Sequence, residues 1–130
     1  MDFVVLDTDV ASRIQRGNIA DDVRARLSPF RGLLTFVTVG EMLRGAHRAR
    51  WGQRRIDELD EWISRYPQLD SDPEVSRAWA KLVADRENAG RPINPNDAWI
   101  AACCVNSEFP LATFNRKDFE GIEGLELLLG

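Results

Sequence analysis

Short runs of consecutive apolar residues alternate along the chain with longer segments in which apolar residues recur every three or four positions. Continuous apolar runs are typical of strands buried on both faces, whereas the wider spacing is typical of amphipathic helices. The apolar runs predict strands at residues 3–6, 33–37, 109–113 and 125–129.

Helical segments separate the first three predicted strands. They are expected at about residues 8–15, 19–27 and 50–66, and others begin near residues 38, 73 and 94. Strands that are separated by helices pair in parallel and are covered on both faces. The expected fold is therefore α/β, a three-layer α/β/α sandwich with a central parallel sheet of four to five strands.

The bulk properties fit one soluble globular domain spanning residues 1–130, with 44% hydrophobic and 29% charged residues. No apolar run approaches the roughly 20 residues that a membrane helix needs. The first residues lack the basic leader and long apolar run of a signal peptide. The sequence therefore predicts a cytoplasmic location.

Two features of the composition leave the chemistry open. A net charge of −4 does not by itself indicate a nucleic-acid partner, although nearly all the basic residues are arginine. Arginine makes bidentate phosphate contacts, but a GC-rich coding sequence would give the same bias. The adjacent Cys103 and Cys104 suit neither a disulfide with each other nor a zinc site, and buried thiols are expected.

Four acidic residues lie where a strand is expected to give way to a helix or a turn: Asp7, Glu41, Asp97 and Asp118. In a sheet of parallel strands these positions gather at the carboxyl edge. Carboxylates gathered there repel one another unless a cation joins them, and carboxylate oxygens suit a hard divalent metal. Metal-assisted cleavage of a phosphodiester is the leading hypothesis.

Each acid also has a structural explanation. Asp7 suits the N-cap of the next helix, and Thr38 with Glu41 fits a capping box in which Glu41 reaches back to the Thr38 backbone. Asp97 suits the positive end of a helix dipole, and Asp118 suits a turn. Four such coincidences at one edge of a sheet are hard to assign to capping alone.

Four segments, at residues 4–9, 37–46, 96–102 and 111–122, resemble in order and spacing the motifs of PIN-domain ribonucleases, in particular the VapC-type toxins of bacterial toxin–antitoxin pairs. The resemblance covers nearly the whole chain. It implies a metal-dependent RNA endonuclease that uses Mg²⁺ or Mn²⁺ and inhibits translation. It also implies a homodimer and a cognate VapB-type antitoxin that blocks the site.

The resemblance also implies a set of site residues. The catalytic and metal-binding positions are Asp7, Glu41, Asp97 and Asp118, and Asp9 and Asn115 fall on supporting positions. Apart from the resemblance, Thr8 or Thr113 could support the site by a hydrogen bond to a carboxylate or phosphate, and local turn bonding is the alternative for each. Two points depart from the family pattern. Asp9 stands where Asn or Ser is commoner, and either Asp118 or Asn115 could complete the site, with Asp118 preferred for its charge.

Basic residues beside these motifs are candidates for holding RNA: Arg44, Arg48, Arg55, Arg116 and Lys117. If the segment after Glu41 is one continuous helix, Arg44, Arg48 and Arg55 fall within a sector of roughly 40°. They would then grip phosphates near the metal. The alternative is a solvated face paired with nearby acids such as Asp57 and Glu58.

Two other functions compete with the nuclease. The segment around Asp7 also resembles the first motif of haloacid-dehalogenase-like phosphatases, with Asp7 as nucleophile and Asp9 as general acid. The late acidic motif of that family is missing from the sequence. A catalytically inactive PIN-like interaction module is the second alternative. His47 has no serine or cysteine placed to form a triad with it.

Overall fold

A computed structural model of the protein describes residues 2–129, which form a five-stranded parallel sheet with helices on both faces. The strands are Asp2–Leu6 (β1), Phe30–Thr35 (β2), Gln68–Leu69 (β3), Leu111–Ala112 (β4) and Leu127–Leu128 (β5). The helices are Thr8–Gln15 (α1), Asp21–Leu27 (α2), Phe36–Arg48 (α3), Gln53–Ser64 (α4), Pro73–Asn88 (α5), Pro95–Ser107 (α6) and Arg116–Phe119 (α7). Met1 and Gly130, the ends of the predicted domain, lie outside the described residues.

The order of strands across the sheet is β3-β2-β1-β4-β5, so β1 lies at its centre. Val5 pairs with Leu33 of β2 on one side and with Leu111 of β4 on the other. After β3 the chain crosses to the other side of β1 and forms β4, so the direction in which strands are added reverses between β1 and β4. Such a reversal leaves a crevice at the carboxyl ends of the two strands, where ligands bind in open α/β sheets.

Two apolar clusters, one on each face of the sheet, confirm the predicted three-layer sandwich. Val5, Leu33 and Leu111 face helices α5 and α6, whereas Val4 and Leu34 face α1, α3 and α4. Successive side chains of a strand point to opposite faces, so a strand covered on both sides is apolar throughout. This explains why the central strands appear in the sequence as continuous apolar runs.

The predicted helix boundaries are confirmed where a cap or a glycine sets them. Asp72 accepts a hydrogen bond from the backbone N–H of Val75 at 2.8 Å and begins α5. Asn94 begins α6 in a similar way, because its side chain accepts hydrogen bonds from the backbone N–H groups of Asn96 and Asp97. Pro95 occupies the first helical position. Gly17 follows α1 with φ of 70°, a left-handed conformation that favours glycine.

The start of α3 differs from the prediction. The helix begins at Phe36 rather than Thr38, because the Thr35 side chain accepts a hydrogen bond from the Thr38 backbone N–H at 3.1 Å. Thr35 is therefore the N-cap, and the predicted capping box between Thr38 and Glu41 is wrong. Glu41 lies in the second turn of the helix instead, where its side chain is available for other contacts.

Three further differences concern the ends of elements. Arg50 has φ of 58° and separates α3 from α4, so residues 44–55 are not one helix. The two-residue strand β3, which pairs with Leu34 and Thr35, was not predicted. Strands β4 and β5 are also shorter than the predicted runs. A strand of two residues carries too little sequence pattern to be recognised.

Cys103 and Cys104 are buried free thiols, as predicted. Burial is the main cause that raises the pKa of Cys103, to about 11.

Within residues 2–129, no helix is long and apolar enough to cross a membrane.

Arg86 of α5 contacts the backbone both before and after α6. Its Nε donates to the carbonyl oxygen of Arg91 at 2.8 Å. Its Nη1 donates to the carbonyl oxygens of Asp118 at 3.3 Å and Glu120 at 3.4 Å. Helix α7 has only four residues and no side-chain N-cap, so it depends on such contacts.

We expect Arg86→Ala to lower the free energy of unfolding by about 1–2 kcal/mol, because three charge-assisted contacts to backbone carbonyls are lost. Urea denaturation would measure the change. Arg77→Ala on the same helix is the matched control, since Arg77 forms an exposed ion pair with Glu74. Loss of such an exposed pair costs at most about 0.5 kcal/mol. Equal effects of the two substitutions would contradict a bracing role for Arg86.

Candidate active site

Asp7 lies directly after β1, in the crevice between β1 and β4, and the residue is 6% exposed. Its Oδ1 accepts a hydrogen bond from the backbone N–H of Thr8 at 2.9 Å. Its Oδ2 accepts one from the Thr113 hydroxyl at 2.8 Å. Burial raises the pKa of Asp7, and these two hydrogen bonds oppose that rise. The carboxylate is therefore fixed in orientation but incompletely compensated for its loss of water.

Glu41 projects from α3 toward the same crevice, and both of its carboxylate oxygens are held. Oε1 accepts a hydrogen bond from the Thr8 hydroxyl at 2.5 Å. Oε2 accepts one from the side-chain amide of Asn96 at 3.2 Å. Thr8 follows Asp7, and Asn96 precedes Asp97, so these contacts bring three distant segments of the chain together.

Asp97 lies in the first turn of α6 and is half-buried. Burial is the largest cause that raises the pKa of Asp97, to about 6. The other causes are the negative charges of Asp7, Asp118, Glu41 and Asp9. Five acids thus share one region, and their mutual repulsion adds to the effect of burial on Asp97.

The remaining predicted positions border this region. Asp118 is exposed on α7, and Asn115 is exposed just before that helix. The Asn115 side chain donates to Oδ2 of Asp9 at 3.4 Å, and its backbone N–H donates to the Thr113 hydroxyl at 3.0 Å. Asn115 therefore restrains neighbouring groups, whereas Asp118 contributes charge.

The acids lie less close together than the sequence predicted. Within the described part of the chain, no three Asp, Glu, His or Cys side chains are close enough to hold a metal ion as they stand. Like charges repel, and this opposes closer approach. The donors are nevertheless carboxylate oxygens with hydroxyl and amide neighbours, the chemistry that suits Mg²⁺ or Mn²⁺. A cation would also relieve the repulsion that raises the pKa of Asp97.

The candidate RNA-binding residues are divided among three elements. Arg44 and Arg48 are exposed on α3, three and seven residues after Glu41, and so lie on the same side of the helix. Arg55 is on α4, with its guanidinium 3.8 Å from the centre of the Trp51 ring. The expected sector of three arginines on one helix is therefore wrong.

The other two basic candidates, on α7, differ in their surroundings. Arg116 donates to the carbonyl oxygen of Leu129 at 3.0 Å, and Lys117 is exposed. Arg116 thus has a structural contact that the sequence did not indicate.

Sequence reasoning did not identify three residues that contact the acids or their hydroxyl partners: Thr35, Thr38 and Asn96. Thr38 precedes Glu41 by three positions, a spacing that places two side chains on one helix face. Asn96 precedes Asp97 in the helix start and in the segment 96–102 that resembles a family motif, but the sequence indicated no contact for it. The helical spacing was a usable signal for Thr38, whereas the contact of Asn96 with Glu41 depends on the tertiary fold.

The raised pKa of Asp97 predicts how Asp97→Asn changes stability in the absence of metal. An acid whose pKa is higher in the folded protein stabilises the fold below its unfolded value of 3.8, and this contribution is lost as the pH rises through about 6. We therefore expect Asp97→Asn to stabilise the protein at pH 7.5 by about 1 kcal/mol, an estimate reduced for solvent screening of a half-buried carboxyl.

Urea denaturation in the presence of a chelator would test this expectation at pH 4.5 and pH 7.5. The gain should be much smaller at pH 4.5, where Asp97 is already mostly protonated. Asp60→Asn, on an exposed position of α4, is the matched control. An equal gain at both pH values would contradict the assignment.

Nearly the whole chain is similar to known proteins. The profile of the family described as PIN domain matches residues 4–125. Ribonuclease VapC5 of Mycobacterium tuberculosis is 31% identical over 122 residues, which cover 92% of this chain and 87% of that protein. The tRNA(fMet)-specific endonuclease VapC of Shigella flexneri is 27% identical over 123 residues, covering 93% of this chain and 92% of that protein.

A solved structure with a similar fold is the DNA-bound VapBC of Salmonella typhimurium. One of its chains aligns with a TM-score of 0.86 and 24% identity, with 98% of both chains covered. At this identity, the similarity supports the fold alone. It agrees with the central parallel sheet and the two helical layers described above.

Proposed function

This chain belongs to the PIN domain family, and we propose that it is a metal-dependent RNA endonuclease that acts as the toxin of a toxin–antitoxin pair. One of the relatives above is named a ribonuclease, and the other an endonuclease specific for tRNA(fMet). The observation that carries the proposal for this chain is the gathering of acids around the buried Asp7. Cleavage of RNA phosphodiester bonds would inhibit translation.

The proposed roles follow the surroundings of each acid. Asp7 and Asp97 are the proposed direct ligands of Mg²⁺ or Mn²⁺. Glu41 and Asp118 would contact the ion through water or orient the attacking water. When bound, the ion lowers the pKa of a water molecule and neutralises charge on the scissile phosphate.

The protein's own contribution is to orient these groups before RNA arrives. Asp7 is fixed by Thr8 and Thr113, so its oxygens need little reorganisation on binding a cation. The hydroxyl of Thr8 and the amide of Asn96 restrain Glu41 in the same way. Asp9 and Asn115 are proposed as supporting groups at the rim.

RNA would be held by basic side chains next to these acids. We propose that Arg44 and Arg48 contact phosphates along α3, and that Lys117 contacts them beside Asp118. Arg55 and Arg116 are secondary candidates, because Trp51 and the Leu129 carbonyl already engage their guanidinium groups. Phosphate contacts position a nucleic acid without reading its sequence.

The proposed partners are a VapB-type antitoxin protein and a second copy of the chain. Similar folds occur in the DNA-bound VapBC of Salmonella typhimurium and in the FitAB complex bound to DNA. We propose that a cognate antitoxin binds this protein and blocks the acidic crevice. The protein would act as a homodimer in the cytoplasm, where its RNA substrates are found.

Incubation of the purified protein with total RNA and Mg²⁺ or Mn²⁺ tests the proposal. We expect cleavage products that carry 5′-phosphate and 3′-hydroxyl ends. A chromogenic phosphomonoester tests the haloacid-dehalogenase-like alternative, which the comparisons do not favour, and we expect no hydrolysis of it. RNA that stays intact with either ion would favour the inactive interaction module instead.

A further inference from the structure

Three threonine hydroxyls form a chain of hydrogen bonds that ends on the carboxylate of Glu41. The backbone N–H of Thr38 donates to Oγ1 of Thr35 at 3.1 Å, and the two Oγ1 atoms lie 3.4 Å apart. Oγ1 of Thr38 lies 3.0 Å from Oγ1 of Thr8. Thr8 in turn donates to Oε1 of Glu41 at 2.5 Å.

The number of protons fixes the direction of this chain, because each hydroxyl has only one to donate. Thr8 gives its proton to Glu41 and must therefore accept in its contact with Thr38. Thr38 consequently donates to Thr8, and Thr35 donates to Thr38. Every hydroxyl proton thus points toward Glu41, and hydrogen bonds aligned in this way polarise and strengthen one another.

We propose that Thr38 is a positioning residue that acts through Thr8 to hold Glu41 ready for the divalent ion. The side chain of Thr38 is completely buried, so it acts on RNA only through its neighbours. Glutamate loses considerable rotamer freedom when it is held in one place. With Thr38 donating into the Thr8 oxygen, the Thr8 proton is directed at Glu41. Loss of that donor leaves the Thr8 hydroxyl freer to turn away.

The same construction occurs at the second restrained acid. The backbone N–H of Asn115 donates to the Thr113 hydroxyl at 3.0 Å, and that hydroxyl donates to Oδ2 of Asp7 at 2.8 Å. The two chains together use all four threonines of the sequence, at positions 8, 35, 38 and 113. Two independent chains that each end on an acid of the proposed metal site argue for hydroxyl donation rather than packing as their role.

A pair of substitutions separates the hydroxyl of Thr38 from its methyl group, and the test rests on the proposed nuclease function. Thr38→Val keeps the branched shape without the hydroxyl, and Thr38→Ser keeps the hydroxyl without the methyl. We expect Thr38→Val to weaken Mn²⁺ binding, measured by calorimetry, and to lower kcat, each about 10-fold with KM for RNA unchanged. Losses of about 10–100-fold are typical when a group that orients a metal ligand is removed.

Which of the two variants loses more Mn²⁺ affinity distinguishes a hydrogen-bonding role of Thr38 from a packing role. Thr38→Ser should bind Mn²⁺ within about twofold of the unsubstituted protein, well short of the roughly 10-fold loss for an orienting group. A packing role predicts the reverse order. Should Thr38→Val fail to fold, Thr8→Val interrupts the same chain at a half-buried position. Ser64→Ala, which removes an exposed helix hydroxyl, is the control for stability.

The outcomes also separate this inference from the proposed function. If the unsubstituted protein neither binds Mn²⁺ nor cuts RNA, the nuclease proposal and the role of Thr38 are both overturned. If it does both, and the valine variant that folds matches it in Mn²⁺ affinity and kcat, only the role of Thr38 is overturned.

Discussion

Asp7→Asn is expected to reduce metal-dependent RNA cleavage by more than about 100-fold, since removing even the outer partners of a metal ligand costs about 10–100-fold. Asp7 is the most buried of the four acids, and both of its oxygens accept hydrogen bonds. Asparagine keeps the size of the side chain but removes its charge and replaces one acceptor oxygen with a donor group. The measurement is the initial rate of cleavage of a defined RNA at saturating Mg²⁺.

The matched control is Asp60→Asn, the same chemical change at an exposed position of α4. It should leave the cleavage rate unchanged. Circular dichroism of both variants would establish that each is folded at the assay temperature. Cleavage by a folded Asp7→Asn protein at the normal rate would remove Asp7 from the mechanism.

Chelation of divalent ions is expected to abolish cleavage, and addition of Mg²⁺ or Mn²⁺ to restore it. Binding should also stabilise the fold, because the ion offsets the repulsion among the acids. A ligand at 100 times its Kd stabilises the folded state by about 2.7 kcal/mol. For a chain of this size, that corresponds to a rise in Tm on the order of 10 °C, which thermal melts with and without the ion would detect.

The rise in Tm should depend on pH. The pKa of Asp97 is about 6 without metal, so a proton competes with the cation at pH 5 but not at pH 7.5. We expect a much smaller rise at pH 5. Without the ion, the unsubstituted protein also loses stability as Asp97 ionises. The curve of Tm against pH measured with the ion should therefore diverge from the curve measured without it as the pH increases. Parallel curves would show that Asp97 is not linked to binding.

The sequence predicted the parts of the fold that local pattern determines. Continuous apolar runs revealed the central strands, and Asp72 and Asn94 revealed the starts of two helices. The short strand Gln68–Leu69 escaped detection because its pairing with Leu34 and Thr35 is tertiary. The start of α3 was wrong because Thr35 and Thr38 both suit an N-cap, and only the structure distinguishes them.

The sequence indicated that the candidate acids lie in one region, but it did not indicate which groups contact each acid. Acids that follow strands can be found from position alone, since parallel strands share a carboxyl edge. The Thr8 hydroxyl contacts Glu41 across 33 positions of sequence, and Asn96 contacts it across 55. Such contacts have no periodic signature. The interruption at Arg50 also depends on a left-handed backbone that residue type does not specify.

The central position of β1 bears on when this protein can first become active during its synthesis. Asp7 is synthesised well before its hydroxyl partner Thr113, which lies 106 positions later in the sequence. Until β4 has emerged and paired with β1, the nascent polypeptide lacks both Thr113 and Asp118. A ribosome must therefore translate the segment between Asp7 and Thr113, which are 106 positions apart, before its product could cut RNA.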